Sequence, residues 1–295
     1  MKHSHHHHEN DSSKNLKVAF FLNFSFTIIE LIGGIYTNSV AIIADSLHDL
    51  GDTLSLGLSW FLEKYSSKDR SKKFSYGYKR FSLLSALINS AILIIGSIVI
   101  LYKTIPRLLN PETSNYVGML LLAVLGMIVN GVAVFKLKKG SSLNEKVVAW
   151  HLLEDLLGWI AIFIISIINQ FIEIPILDPI LAVIFAIVIF YNAIKNLKPI
   201  VAIFLQSTPL DVDVNELETK IKNIKTINSI HDMHLWTMDS ENHILTIHVV
   251  LKGKITPTKV KSVKKQIRKV VYSMKIKHVT IEVEEKNEIC EYNDC

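Results

Sequence analysis

The sequence has little charge and very few cysteines for its length. Asp, Glu, Lys and Arg make up 20% of the 295 residues, whereas soluble domains contain about 25%. Its two cysteines, Cys290 and Cys295, both lie among the last six residues. The phosphate-binding motif Gly-x-x-x-x-Gly-Lys-Ser/Thr is absent, so nothing in the sequence supports an ATP-driven process.

Long uncharged segments account for the missing charge. Hydrophobic residues form 49% of the chain, and the mean hydropathy is +0.33. Phe81–Tyr102 carries no charge, and a helix rising about 1.5 Å per residue would cross a bilayer core of about 30 Å over that length. Because such segments recur along two thirds of the chain, a cleaved signal peptide does not explain them. We predict six transmembrane helices: Leu16–Tyr36, Ser39–Leu62, Phe81–Tyr102, Tyr116–Leu137, Val147–Ile172 and Ile176–Ile194.

The distribution of Lys and Arg predicts the orientation in the membrane. The loop Glu63–Arg80 contains seven of these cations, and a second basic cluster lies between Lys136 and Lys146. The other three connections contain few or none. The positive-inside rule therefore places the basic loops and both termini in the cytoplasm, where a disulfide between Cys290 and Cys295 is not expected. The net charge of +5 follows from these regions, and it is not interpreted as a nucleic-acid-binding surface.

The last third of the chain predicts a small soluble domain. Its hydropathy pattern gives the order αββαβ, an α+β domain with an antiparallel sheet and helices on one face. The predicted elements are a helix at Val214–Ile224, strands at Ile227–Met238 and His243–Leu251, a helix at Thr256–Met274 and a strand at Val279–Glu285. The fold class is thus an α-helical membrane protein with a cytoplasmic α+β domain. The predicted boundaries are 1–14 for a His-rich tail, 15–206 for the transmembrane domain, 207–287 for the α+β domain and 288–295 for a Cys-containing tail.

Two of the predicted membrane helices contain matching polar motifs. The second helix contains ADSLHDLGD and the fifth WHLLED, and both include His-x-x-x-Asp: His48 with Asp52, and His151 with Asp155. A spacing of four places both side chains on one helix face. Charges at this depth cost roughly 3 kcal/mol each, so two matching pairs favour a metal site over a structural or proton-only cluster, the alternative interpretation.

The ligand types favour zinc. Two imidazoles and two carboxylates suit tetrahedral Zn²⁺, with Cd²⁺ and Co²⁺ as close competitors, whereas Mg²⁺, Mn²⁺ and Ca²⁺ prefer oxygen ligands. Asp45 lies three residues before His48 and is a candidate for orienting it. Asp49 and Glu154 fall outside the repeated spacing, so we do not assign them as ligands.

These features together resemble the cation diffusion facilitator family, in its zinc-transporting branch. The resemblance covers about residues 16–285 and includes NSVAIIADSLHDLGD, FSYGYKR and HDMHLW. It implies a secondary-active, homodimeric Zn²⁺/H⁺ antiporter in the cell membrane that exports metal through His48, Asp52, His151 and Asp155, with Zn²⁺ as substrate and no cofactor. It also implies regulatory zinc in the cytoplasmic domain, for which the matching positions are His231, His248, His278 and Glu284.

Several alternatives remain at this stage. The histidines of the soluble domain could be ordinary surface residues, and Cys290 and Cys295 could bind metal or belong to a reduced tail. A Cd²⁺/Co²⁺ exporter and a membrane metal sensor without transport are the alternative functions. An intramembrane metalloprotease is disfavoured because His-Glu-x-x-His is absent and four protein ligands would leave no position for a catalytic water. The chain is therefore not expected to be an enzyme.

Overall fold

The computed structural model describes residues 8–137, 143–286, 288 and 290, without the side chains of residues 8–20, 22, 56, 60, 63, 136, 137 and 143–151. Every predicted hydrophobic segment lies mainly within a long helix. The helices are α1 (His8–Thr37), α2 (Val40–Ser66), α3 (Phe81–Leu109), α4 (Tyr116–Leu137), α5 (Leu143–Phe171) and α6 (Leu177–Phe204).

Four segments of the described chain are long and apolar enough to cross a membrane by length and composition. They are Phe81–Leu109, Tyr116–Phe135, Leu152–Phe171 and Leu177–Phe204. Helices α1 and α2 are not among these four, and α2 contains the polar motif ADSLHDLGD. The structure therefore shows a helical membrane domain, and the count of six spans remains a prediction.

The chain divides into two compact units. The first contains residues up to 61 and residues 85–196, and the second contains residues 62–84 and those from 197 onward. In the first unit, apolar side chains of all six helices form one core. Trp159, Ile42, Met119 and Ile162 are its largest fully buried members. This core holds α2 and α5, which carry the two polar motifs.

Polar contacts fix the turn between α1 and α2. Asn38 has a φ of +55°, and its carbonyl and side-chain oxygens accept hydrogen bonds of 3.1 and 2.6 Å from the guanidinium of Arg107. The carboxylate of Asp178, at the start of α6, accepts hydrogen bonds from the Ser39 hydroxyl and the Val40 amide. A carboxylate at a helix N-terminus satisfies amides that have no partner within the helix. Asp178 therefore anchors the helix that carries His48.

The second unit contains a three-stranded mixed sheet with two helices. Its elements follow the predicted order: α7 (Val214–Lys222), β1 (Ile227–Thr237), β2 (His243–Leu251), α8 (Pro257–Ser273) and β3 (Ile276–Glu284). The strands lie in the order β1-β2-β3. Strands β1 and β2 pair antiparallel, but β2 and β3 pair parallel. The prediction of an antiparallel sheet is wrong for this pair, because α8 forms a crossover connection that returns the chain in the same direction.

Alternate residues of the sheet face the helices. Leu245, Ile247, Val249 and Leu251 of β2 lie in one buried core with side chains of α7 and α8. Because successive strand residues point to opposite faces, His248 and the other even-numbered residues of β2 point away from the helices. One face of the sheet thus forms the core, and the other carries the predicted metal ligands.

Candidate metal centres

Residues of α2 and α5 meet at the first candidate centre. His48 Nε2 lies 3.8 Å from Asp52 Oδ2, one turn along the same helix, and 3.9 Å from Asp155 Oδ1 on α5. His48 and Asp52 are partly buried, and Asp155 is 8% exposed. The sequence could not show that the second and fifth helices meet. The structure brings three of the four predicted side chains together.

The fourth predicted ligand, His151, lies on α5 one turn before Asp155, and its side chain is outside the described part of the structure. The His-x-x-x-Asp spacing of the sequence predicts that it shares a helix face with Asp155. Its participation remains a prediction based on that spacing.

A cavity of about 250 Å³ adjoins these side chains. His48, Asp155 and Asp45 line it together with Glu154 and apolar residues of α6. Asp45 is buried, and its role in orienting His48 remains a prediction. Glu154 is an exposed residue at this cavity. The cavity gives the candidate ligands a space that is large enough for a hydrated ion, since one water needs about 30 Å³.

A third helix contributes a carboxyl group to this part of the interior. Glu30 of α1 is fully buried, and it faces the carboxyl groups of Asp49 and Asp45 on α2. The spacing within α1 offered no signal for this placement, because the contact joins two helices.

The second candidate centre lies on the face of the sheet that points away from α7 and α8. His231 of β1 and His248 of β2 are direct partners in the antiparallel ladder, and their ring centroids lie 5.3 Å apart. Glu282 of β3 pairs with His248, and Glu284 follows two residues later, so both point to the same face. A bulge in β1 after His231 contains Asp232 with a φ of +44°.

Short polar contacts join these side chains. His248 Nδ1 lies 2.6 Å from Glu284 Oε1, and His231 Nε2 lies 3.2 Å from Glu284 Oε2. Cys290 Sγ lies 3.5 Å from His248 Nδ1. One potential ligand atom from each of His231, His248, Glu284 and Cys290 lies within 4.8 Å of the others. Imidazole, carboxylate and thiolate are all zinc ligands, so this set fits the predicted regulatory metal.

His278 does not join this cluster within one chain. It lies six residues before Glu284 on β3, which corresponds to about 20 Å along a strand. Its ring instead packs against Tyr76, with the centroids 5.6 Å apart. The structure thus brings His231, His248 and Glu284 together, adds Cys290 and leaves His278 apart. The spacing of the two cysteines in CEYNDC does not predict that Cys290 lies beside these histidines. Cys295 lies outside the described residues.

Comparison with known proteins identifies the family. The cation efflux transmembrane domain matches residues 16–205, and the cytoplasmic domain of cation efflux proteins matches residues 209–286. The chain belongs to the cation efflux family. This confirms the family predicted from the paired motifs. It also confirms that the chain is not an enzyme, since the members of this family are transporters.

Similar proteins cover nearly the whole chain. A "Cadmium, cobalt and zinc/H(+)-K(+) antiporter" of Bacillus subtilis is 31% identical over 95% of this chain and 91% of its own length. A "Metal cation efflux system protein CzcD" of Cupriavidus metallidurans is 34% identical over 85% of this chain and 80% of its own. A "Zinc transporter ZitB" of Pectobacterium atrosepticum is 29% identical over 100% of this chain and 92% of its own.

Proposed function

We propose that this protein is a secondary-active divalent metal antiporter that exports Zn²⁺ from the cytoplasm in exchange for H⁺. The observation that carries the proposal is the convergence of His48, Asp52 and Asp155 from two membrane helices beside a cavity. The names of the similar proteins, which include zinc, cadmium and cobalt transport, support the same class of substrate. Cd²⁺ and Co²⁺ fit these ligands as well and are the alternative substrates.

The chemistry of these ligands supports coupling to protons. Imidazole must be neutral and carboxylate ionised to bind a metal, so metal and protons compete for the same atoms. Histidine titrates near pH 6.5 when unperturbed. Metal arriving from the cytoplasm displaces protons from the site, and protons from the opposite side displace the metal once the site opens outward. Alternating exposure of one central site is how secondary transporters work in general.

The proposed topology has six spans, with both termini in the cytoplasm. The protein is proposed to be a multi-pass protein of the cell membrane and to act as a homodimer. Residues 62–84, between α2 and α3, belong to the same compact unit as the C-terminal domain. This common unit supports the placement of both regions on one side of the membrane, and that placement needs an even number of spans between them. Helices α3–α6 provide four, and α1 and α2 add two before the loop. The basic composition of Glu63–Arg80 supports the cytoplasm as the common side.

The assignment of Asp155 is tested by zinc/proton exchange in proteoliposomes with an imposed pH gradient. Asp155→Ala is expected to abolish exchange, because it removes a carboxylate that lies 3.9 Å from His48. Glu154→Gln, on the adjacent residue of the same helix, is the matched control and is expected to retain exchange. Equal rates for Asp155→Ala and the unchanged protein, at equal amounts of folded dimer, would contradict the assignment.

The metal substrate and the rival sensor function are tested in the same vesicles. Flux is measured separately for Zn²⁺, Cd²⁺, Co²⁺ and Mn²⁺. We expect zinc, cadmium and cobalt to be transported and manganese to be excluded, because two imidazoles disfavour an oxygen-preferring ion. Binding of zinc to the C-terminal cluster without flux of any of these metals would instead support the sensor.

We further propose that zinc at His231, His248 and Glu284 regulates transport. The contacts of Glu284 with both histidines support this role. The same side chains could form an ion-pair network without metal. Metal binding by a variant that lacks the transport site, measured by calorimetry, separates the two possibilities.

A further inference from the structure

The last described residue of the chain lies beside the histidine cluster. Cys290 follows β3 by six residues and is partly buried. Its Sγ approaches the same nitrogen of His248 that contacts Glu284, at 3.5 Å. It thereby reaches the face of the sheet that carries His231 as well.

The positions of the four atoms are close to those that one metal ion requires. Bond lengths of about 2.0–2.3 Å from zinc to nitrogen, oxygen and sulfur in a tetrahedron place the ligand atoms about 3.3–3.8 Å apart. The four atoms contributed by His231, His248, Glu284 and Cys290 lie within 4.8 Å of one another. Side-chain rotations that shift these atoms by about 1 Å, shortening the longest separations and lengthening the 2.6 Å contact between His248 and Glu284, bring all four into one coordination sphere.

The remaining nitrogen of His248 has its own acceptors. His248 Nε2 lies 3.3 Å from Asp232 Oδ2 and 3.6 Å from Glu282 Oε2. Asp232 is held in turn by His234, whose Nε2 lies 2.8 Å from Asp232 Oδ1. Once a metal replaces the 2.6 Å contact between Nδ1 and Glu284, these acceptors hold the ring proton on Nε2. This leaves Nδ1 of His248 facing Glu284 and Cys290.

We propose that Cys290 supplies a thiolate ligand to a four-coordinate metal site with His231, His248 and Glu284, and that the thiolate makes this site selective for Zn²⁺ and Cd²⁺. The inference rests on the regulatory site proposed above and names its fourth ligand. A thiolate is a softer ligand than the imidazoles and carboxylates of the transport site, and soft ligands favour Zn²⁺ and Cd²⁺ over Mn²⁺. The protein therefore carries two metal sites with different ligand softness.

The test is a titration of the full-length protein with Cd²⁺. Binding is monitored through the ultraviolet charge-transfer absorption that only cadmium–thiolate bonds produce. Cys290→Ser is the test variant, and Cys295→Ser is the matched control in the same tail. We expect the absorption band in the unchanged protein and in Cys295→Ser. Cys290→Ser is expected to lose the band, and its affinity for the second Cd²⁺ equivalent, the ion bound at the C-terminal site, is expected to fall by about tenfold or more. No band in the unchanged protein, or a band lost only in Cys295→Ser, overturns the proposal.

A second measurement needs no substitution. The unchanged protein is alkylated at its thiols with and without Cd²⁺, and the modification of Cys290 is measured by mass spectrometry. Protection of Cys290 by Cd²⁺ but not by Mn²⁺ is expected, and equal alkylation under all conditions overturns the proposal. Asp155→Ala separates the proposal for Cys290 from the proposed transport site. This variant is expected to retain the cadmium–thiolate band and to lose transport. Retained transport in this variant would contradict the transport site and leave the proposal for Cys290 intact.

Discussion

At the scale of single residues, helical spacing predicts part of the candidate metal site on α2 and α5 and cannot predict the rest. The His-x-x-x-Asp spacing predicts that His48 and Asp52 share a helix face, and the structure places their side-chain atoms 3.8 Å apart. The contact between His48 and Asp155 joins residues more than a hundred positions apart in the chain, so no local pattern could reveal it. The same limit applies to the contact between Cys290 and His248, which lie 42 positions apart in the chain.

The identity of residue 48 is expected to control the choice of metal. His48→Asp replaces an imidazole by a carboxylate, and carboxylates suit Mn²⁺ whereas imidazole suits Zn²⁺. We expect the ratio of zinc flux to manganese flux to fall by about tenfold, equivalent to ~1.4 kcal/mol. Competition between the two ions in proteoliposomes measures this ratio.

The matched control for this substitution is His48→Asn, which removes the imidazole without adding a charge. Both variants should lose zinc flux, but only His48→Asp should gain manganese flux. Manganese flux that is equal in the two variants would show that residue 48 does not select the metal.

At the scale of elements, a close approach of two helices positions the site. Gly126 of α4 lies against Trp159 of α5, so that a Cβ at residue 126 would come within 2.2 Å of the indole. Trp159 is 1% exposed and lies one turn after Asp155 on the same helix. The absence of a side chain at residue 126 therefore allows α4 and α5 to pack closely one turn after Asp155.

Gly126→Ala is expected to destabilise the protein by about 1–3 kcal/mol, the usual cost of overpacking a filled core, and to reduce zinc exchange. Gly131→Ala on the same helix is the control, because the nearest atom to its added Cβ, in Leu156, would be 4.0 Å away. Thermal unfolding in detergent, followed by tryptophan fluorescence, compares the two. A Gly126→Ala protein as stable as Gly131→Ala would contradict this account of the helix contact.

In the C-terminal domain, local sequence patterns predict the order of the elements but not the direction of every strand. The order αββαβ could be predicted because alternation of apolar residues marks each strand, and the structure confirms that order. The direction of β3 relative to β2 depends on the path of the chain through α8, which hydropathy does not report. A helix between two paired strands favours parallel pairing, and that signal was present in the sequence.

At the scale of the whole molecule, the two compact units restrict the topology. Tyr76, in the loop between α2 and α3, packs against His278 of the C-terminal domain within one unit. This contact supports the proposed placement of the loop and the domain on one side of the membrane. The sequence predicted the same arrangement from Lys and Arg counts, which are independent of this contact. Composition alone could not show that the loop and the domain touch, because the two segments are separated by four helices.

Thiol labelling in intact cells tests this topology. The two native cysteines are first replaced by serine, and one cysteine is then introduced at Asp69→Cys or Thr113→Cys. Both positions are exposed, the first between α2 and α3 and the second between α3 and α4, so that a single span separates them. A membrane-impermeant maleimide should label Thr113→Cys in intact cells and Asp69→Cys only in inverted vesicles, because the basic loop is retained in the cytoplasm. Labelling of both positions from one side would contradict a membrane-spanning α3, and the reverse pattern would invert the direction of metal transport.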